Sequence, residues 1–193
     1  MKITDKEKEL AIQKIKEDPF ALEYASPELR NNIDVVREAV RKNGWALEFA
    51  SKDLRANVDV VWVAVTYNGF ALKYASEEVR ANEDVVLRAV RRNGGALYVA
   101  SADLRNNIKV VSVAVKQDGL ALEFASADLR NNIRVVLTAV KENGLALQYA
   151  SEELRNNIDV VREAIEENGL ALQFASAELQ NAIARYQKLN NLK

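Results

Sequence analysis

Residues 120–144 read LALEFASADLRNNIRVVLTAVKENG, and residues 145–169 read LALQYASEELRNNIDVVREAIEENG. The agreement extends along the chain. Serine returns at Ser26, Ser51, Ser76, Ser101, Ser126, Ser151 and Ser176, always at the same interval, and glycine keeps that interval at Gly44, Gly69, Gly94, Gly119, Gly144 and Gly169. No insertion or deletion interrupts the series, which condenses to A-L-x-aromatic-A-S-x-acid-L-R-x-N-x-x-V-V-x-x-A-V-x-x-N-G. A fixed period of this size marks a repeat architecture, in which no unit buries its apolar face alone and neighbours must stack into a continuous core.

The punctuation inside each unit predicts three short helices. The longest runs from Ile33 to about Asn43, with Asn32 as N-cap, Asp34 near the positive end of the helix dipole and Gly44 in the left-handed position that follows many helices. Trp45 to Ala50 supplies a turn and a half, and Ser51 caps another turn from Lys52 to Ala56, with Asp53 near its start. Pro27 directly after Ser26 supports that cap, since the first helical residue needs no N–H. On the long helix Ile33, Val35, Val36, Ala39 and Val40 fall within an arc of about 160°, a broad face expected to be buried. Valine is a modest helix former, but strict alternation is absent, which favours helix over strand. A leucine-rich repeat of similar length needs L-x-L-x-x-N, where this chain has Asp128-Leu129-Arg130-Asn131-Asn132. The expected fold is therefore all-α: an α-solenoid, a superhelical array of 25-residue units with three short helices each.

The expected organisation is one continuous domain: a cap helix in residues 1–19, six repeats in residues 20–169, and a partial repeat with a second cap in residues 170–193. Leu10, Ala11 and Ile15 keep the apolar face in the first cap, while Lys14 takes the place of the repeating alanine. At the other end Ala182, Arg185, Tyr186, Gln187 and Lys188 replace the asparagine cap and the Val-Val core.

Composition narrows the function. The chain has no cysteine and no histidine, so thiolate and imidazole chemistry are absent, and no catalytic residue, metal ligand or cofactor is assigned. Its 27 basic and 28 acidic residues give a formal charge of −1, which supplies no overall field to gather nucleic acid or an anionic membrane. Apolar stretches are too short to span a bilayer and Met1 to Glu9 is charged, so a soluble chain without a targeting signal is expected. Glycines spaced a whole repeat apart exclude a phosphate-binding loop, Gly94 and Gly95 being the one adjacent pair. A non-enzymatic, monomeric scaffold with a protein or peptide partner, if any, is the expectation.

The unit A-L-x-[YF]-A-S-x-[DE]-L-R-N-N followed by V-V-x-x-A-V-x-x-N-G resembles the domain-of-unknown-function family 4116, a tandem helical repeat of bacteria and protists, over about Phe20 to Gln180. The resemblance implies a helical repeat fold and an interaction role, and it brings no catalytic residues. Greater regularity and the missing cysteine and histidine depart from that family and point to a consensus or designed version. The alternative is a natural interaction repeat of a bacterial protein that binds a host protein.

Two ladders and one irregular region carry the functional candidates. Arg30, Arg55, Arg80, Arg105, Arg130 and Arg155 place one guanidinium in each unit. They suit a track for phosphates or carboxylates, as along a nucleic acid, but a structural role, bonding the acids or helix-end carbonyls of a neighbouring repeat, is favoured because the series ends at Gln180. The asparagines from Asn32 to Asn157 fit N-caps. On the face of the long helix expected to be exposed, terminal units carry Arg37, Glu38, Arg162 and Glu163, whereas inner units carry Trp62, Val63, Leu87, Val113 and Leu137. Tyr67, Arg88, Arg91, Arg92 and Lys116 lie nearby in sequence register, and such an aromatic, arginine-rich patch is typical of a binding hot spot. The third and fourth units also depart within the expected core. Glu83 replaces Ile or Val, Gly95 replaces a large apolar residue, and Val99 replaces an aromatic whose bulk moves to Tyr98. A pocket with Arg88 or Arg92 as counter-ion to Glu83 is one expectation, and filling by Trp62 or Phe70 the other.

Overall fold

The computed structural model describes residues 3–190, with side chains described as far as residue 185. The described residues form helices joined by short connections, without a strand. The helices fall into three sets, each recurring once per repeat: ten-residue α-helices such as Val58–Tyr67, six-residue 3-10 helices such as Gly69–Tyr74, and four-residue helices such as Glu77–Arg80. The fold is an all-α solenoid.

Side-chain caps fix these boundaries. Asn57 and Asn82 each accept the backbone N–H three residues on, at 3.1 Å, starting the helices Val58–Tyr67 and Glu83–Arg92. Ser51 and Ser76 do the same for the short helices, accepting from Leu54 N and Val79 N. Caps of this kind stabilise a helix by about 1 kcal/mol each. Asn68 ends one long helix in extended conformation and uses its side chain to accept from Phe70 N at 3.0 Å, so it also starts the 3-10 turn. Where the asparagine is lost the boundary is lost: with Ala182 in the cap position the last helix runs without a break from Ala177 to Asn190. Tyr186, Gln187 and Lys188 lie where side chains fall outside the described residues.

The chain divides into two compact units, residues 1–104 and 105–193. In the first, the long helices Asp5–Glu17, Ile33–Lys42, Val58–Tyr67 and Glu83–Arg92 pack in chain order, and the four 3-10 helices form a second layer in the same order. In the second, Ile108–Gln117, Ile133–Glu142 and Ile158–Glu167 pack likewise, as do their 3-10 helices. Val60, Val61, Ala64, Val65, Ala71 and Leu72 show the pattern of the core and are fully buried. The serine N–H donates to an arginine carbonyl one repeat back, as from Ser76 to Arg55 at 3.0 Å and from Ser151 to Arg130 at 2.9 Å. Lys8 pairs with Asp34, tying the first helix to the second; that hydrogen bond lowers the Asp34 carboxyl and raises the Lys8 ammonium from their ordinary values.

Two expectations about the repeat are corrected. No described glycine has a positive φ, so the recurring glycine is not a left-handed cap. The cause is proximity: a Cβ on Gly69 would lie 2.3 Å from the Ala89 carbonyl oxygen, and on Gly144 2.3 Å from that of Ala164. The absent side chain lets the next long helix lie directly on the backbone. The buried face is also narrower than the arc expected from the sequence. Ile33, Val58, Ile108, Ile133 and Ile158 are between 38% and 55% exposed, because the first helical residue sits at the rim of that arc.

A polar relay adds to the packing. Ser51 donates to Asn31, Ser126 to Asn106 at 2.5 Å, and Ser176 to Asn156 at 2.6 Å. Ala56 and Ala81 stand where those asparagines would meet Ser76 and Ser101. Ala56→Asn is expected to restore the bond to Ser76 and to raise unfolding stability by about 1 kcal/mol in urea titration.

Candidate functional site

The helices Val58–Tyr67 and Glu83–Arg92 lie side by side in the first unit and bring most of the irregular residues together. Trp62 is 40% exposed and Tyr67 51%, while Val63 is half-buried beside them in sequence. Thr66 joins the two helices: its hydroxyl donates to the Trp62 carbonyl at 2.8 Å and accepts from Arg88 Nε at 3.0 Å. One turn on, Arg92 Nε donates to the Tyr67 carbonyl at 3.3 Å. Arg88 and Arg92 are four residues apart and so share a face of their helix, with Arg91 exposed nearby.

Both guanidinium groups are thus held through Nε, which leaves the two terminal nitrogens, the pair that takes a carboxylate end-on, for a partner. Among the described residues no carboxylate lies in ion-pair range of Arg88, Arg91 or Arg92. The terminal repeat of the second unit differs at these positions, where Arg162 faces Asp159 at 3.5 Å and Glu166 at 3.9 Å, and Glu163 faces Lys141 at 3.9 Å. Charged residues there neutralise one another. On the pair of helices beginning at Val58 and Glu83 the arginines have no carboxylate in ion-pair range among the described residues and lie beside two exposed aromatics.

Leu87 and Tyr98 do not join this surface. Leu87 is 3% exposed and belongs to the core; its position is at the edge of the buried arc, so a large apolar side chain there folds inward. Glu83 occupies the first position of its helix, where the other repeats expose Ile or Val, so no core side chain is missing. Arg88 and Arg92 turn to Thr66 and Tyr67. Tyr98 is 66% exposed but lies on the 3-10 helix Gly94–Val99, in the other layer. Val113 and Lys116 belong to the second unit, half-buried and exposed respectively. The space beside Gly95 is taken by Phe70, whose ring carbons would meet an added Cβ at 3.3 Å.

Sequence patterns did not single out two further features. Thr66 carries no repeat signal, yet its hydroxyl links Trp62 to Arg88. In the 3-10 layer Trp45 and Phe70 stack at 6.5 Å with planes 12° apart, Tyr74 meets Trp45 edge-on at 5.9 Å, and Lys73 Nζ lies 4.8 Å from the Trp45 centroid. Burial, followed by hydrogen bonding to Glu48, raises the Tyr74 phenol above its ordinary value.

The arginine ladder also departs from expectation. Nε of Arg30, Arg55, Arg80, Arg105, Arg130 and Arg155 is shielded from solvent without a partner, and among the described residues no arginine of the ladder bonds an acid of a neighbouring repeat. Gln180, at the end of the series, instead donates to the carbonyls of Gln173 and Ala175 at 3.0 and 2.8 Å, within its own repeat. No helix among the described residues is long and apolar enough to cross a membrane.

The family model for the domain of unknown function DUF4116 matches residues 7–55, 57–105, 82–130 and 132–180, and each match covers about two repeat units. No curated protein and no solved structure matches the chain. With tandem matches over nearly the whole sequence, the chain belongs to the DUF4116 family.

Proposed function

We propose that the protein is a non-catalytic repeat scaffold that binds an acidic, extended protein segment across the helices Val58–Tyr67 and Glu83–Arg92. The observation that carries this is the anchoring of Arg88 and Arg92 through Nε, without a carboxylate in ion-pair range among the described residues, beside exposed Trp62 and Tyr67. Aromatic and arginine side chains dominate the energetics of interfaces, and a guanidinium already held in place loses less freedom on binding. The uninterrupted register and the absence of cysteine and histidine support a consensus or designed form of the family's repeat.

A single-tryptophan chain, Trp45→Phe, makes Trp62 the reporter. Titration with a synthetic peptide of alternating glutamate and leucine is expected to change Trp62 emission saturably. Arg88→Gln and Arg92→Gln each weaken the binding about tenfold, the size of one lost charge-assisted contact. An equal response to a lysine–leucine peptide, or none to the acidic one, contradicts the assignment.

A further inference from the structure

A groove of about 310 Å³ in the first unit is lined by Lys52, Arg55, Tyr74, Ser76, Glu77 and Arg80, along with Ala75. It lies at the first of the two junctions, at Ala56 and Ala81, where the serine–asparagine relay is broken. At the intact junctions the serine hydroxyl donates to the asparagine of the preceding repeat, as in Ser126 to Asn106 and Ser151 to Asn131. At this junction Ala56 replaces that asparagine, so Ser76 accepts from Val79 N but has no side-chain acceptor for its own proton among the described residues.

The lining carries three cations and one carboxylate. Arg55 Nε and Arg80 Nε are shielded from water and unpartnered, and Glu77 comes no nearer than 3.9 Å to Arg80 Nη2. Unpartnered Nε atoms recur along the ladder, so they alone do not distinguish this junction. Lys52 does: its counterparts are Pro27, Glu77, Ala102, Ala127, Glu152 and Ala177, and none is basic. The next groove, about 250 Å³ beside Ser101, also follows an alanine, Ala81, and shares Arg80 and Glu77, but its lining has no lysine and has Val99 in place of the tyrosine.

We propose that the groove at Ser76 binds a phosphate group, held by the Arg55 and Arg80 guanidinium groups, the Lys52 ammonium and the Ser76 hydroxyl. These donors come from two successive short helices and the residue that caps the second. A tetrahedral anion presents oxygens to several sides at once, whereas a planar carboxylate presents two, so four donors around one groove favour phosphate. The phosphate can be free or carried by a phosphorylated peptide.

Calorimetric titration of the full chain at constant ionic strength uses inorganic phosphate, a short phosphoserine peptide and acetate. Saturable phosphate binding is expected, with acetate at least about tenfold weaker. Ala56→Asn supplies the residue used in other repeats and occupies the Ser76 proton. It is expected to weaken phosphate binding about tenfold or more while the protein remains folded, and Arg55→Gln is expected to do the same. Tighter binding of the phosphoserine peptide than of inorganic phosphate identifies a phosphorylated protein as the source, and the reverse order identifies free phosphate. Absence of saturable binding by the unmodified chain, or unchanged affinity in either variant, overturns the proposal.

Discussion

Replacing Gly69 by alanine is expected to lower unfolding stability by about 3 kcal/mol, whereas Gly169→Ala leaves it unchanged or raises it by about 0.5 kcal/mol. The two glycines occupy the same place in their repeats and neither has a positive φ. They differ in what lies across from them. A Cβ on Gly69 would stand 2.3 Å from the Ala89 carbonyl oxygen and close to Asn93, whose side-chain oxygen accepts the Gly69 N–H at 2.9 Å. Relief of that clash requires the whole helix Glu83–Arg92 to move back, opening the layer and stretching this bond. A Cβ on Gly169 meets nothing within 4 Å, and alanine there only narrows the unfolded ensemble. Urea unfolding of the two variants checks the contrast; equal losses would show that backbone conformation, and not close approach, explains the recurring glycine.

Leu72→Ala is expected to cost about 3 kcal/mol, and Leu172→Ala clearly less. Leu47, Leu72 and Leu97 are fully buried at successive levels of the first unit, as are Leu122 and Leu147 in the second. Deleting the Leu72 side chain leaves a cavity among neighbours that cannot close on it, since the backbone contact at Gly69 already fixes the helix spacing. Leu172, half-buried in the last repeat, loses less contact. The same urea series measures both, and a Leu72→Ala loss below that of Leu172→Ala would contradict the layered core.

The periodicity made the helices and their caps legible, since Asn and Ser in extended conformation before an apolar run have one efficient use, accepting the orphan N–H groups. Ala182 shows the same rule in reverse, its helix continuing through the boundary. The glycine was legible in position but not in cause. Glycine after a helix serves a left-handed cap or a close neighbour equally well, and only the Ala89 and Ala164 carbonyls tell these apart. Residues at the rim of the helical arc were hidden for a related reason: Ile33 is exposed and Leu87 buried because placement there depends on the neighbouring helix, which a one-helix projection omits. Within the candidate site, Trp62, Tyr67 and the arginines broke a repeat pattern and could be found by that break. Thr66 replaces an exposed polar position with another polar residue and gives no such signal. The Ser76 groove is marked in sequence only by Ala56 and Lys52, two ordinary substitutions whose coincidence acquires meaning once the relay from Ser126 to Asn106 is seen.

The central claim is that the aromatic face of Val58–Tyr67 serves a partner and not the fold. Its most direct test is the triple variant Trp62→Arg, Val63→Glu and Tyr67→Lys, which installs the residues that the first repeat carries at Arg37, Glu38 and Lys42. Urea unfolding and calorimetric titration with the acidic peptide, which needs no tryptophan reporter, are measured on the same protein. Stability within about 1 kcal/mol of the unmodified chain, with peptide binding abolished, is the predicted result. A loss comparable to that of Leu72→Ala, or undiminished peptide binding, would contradict it.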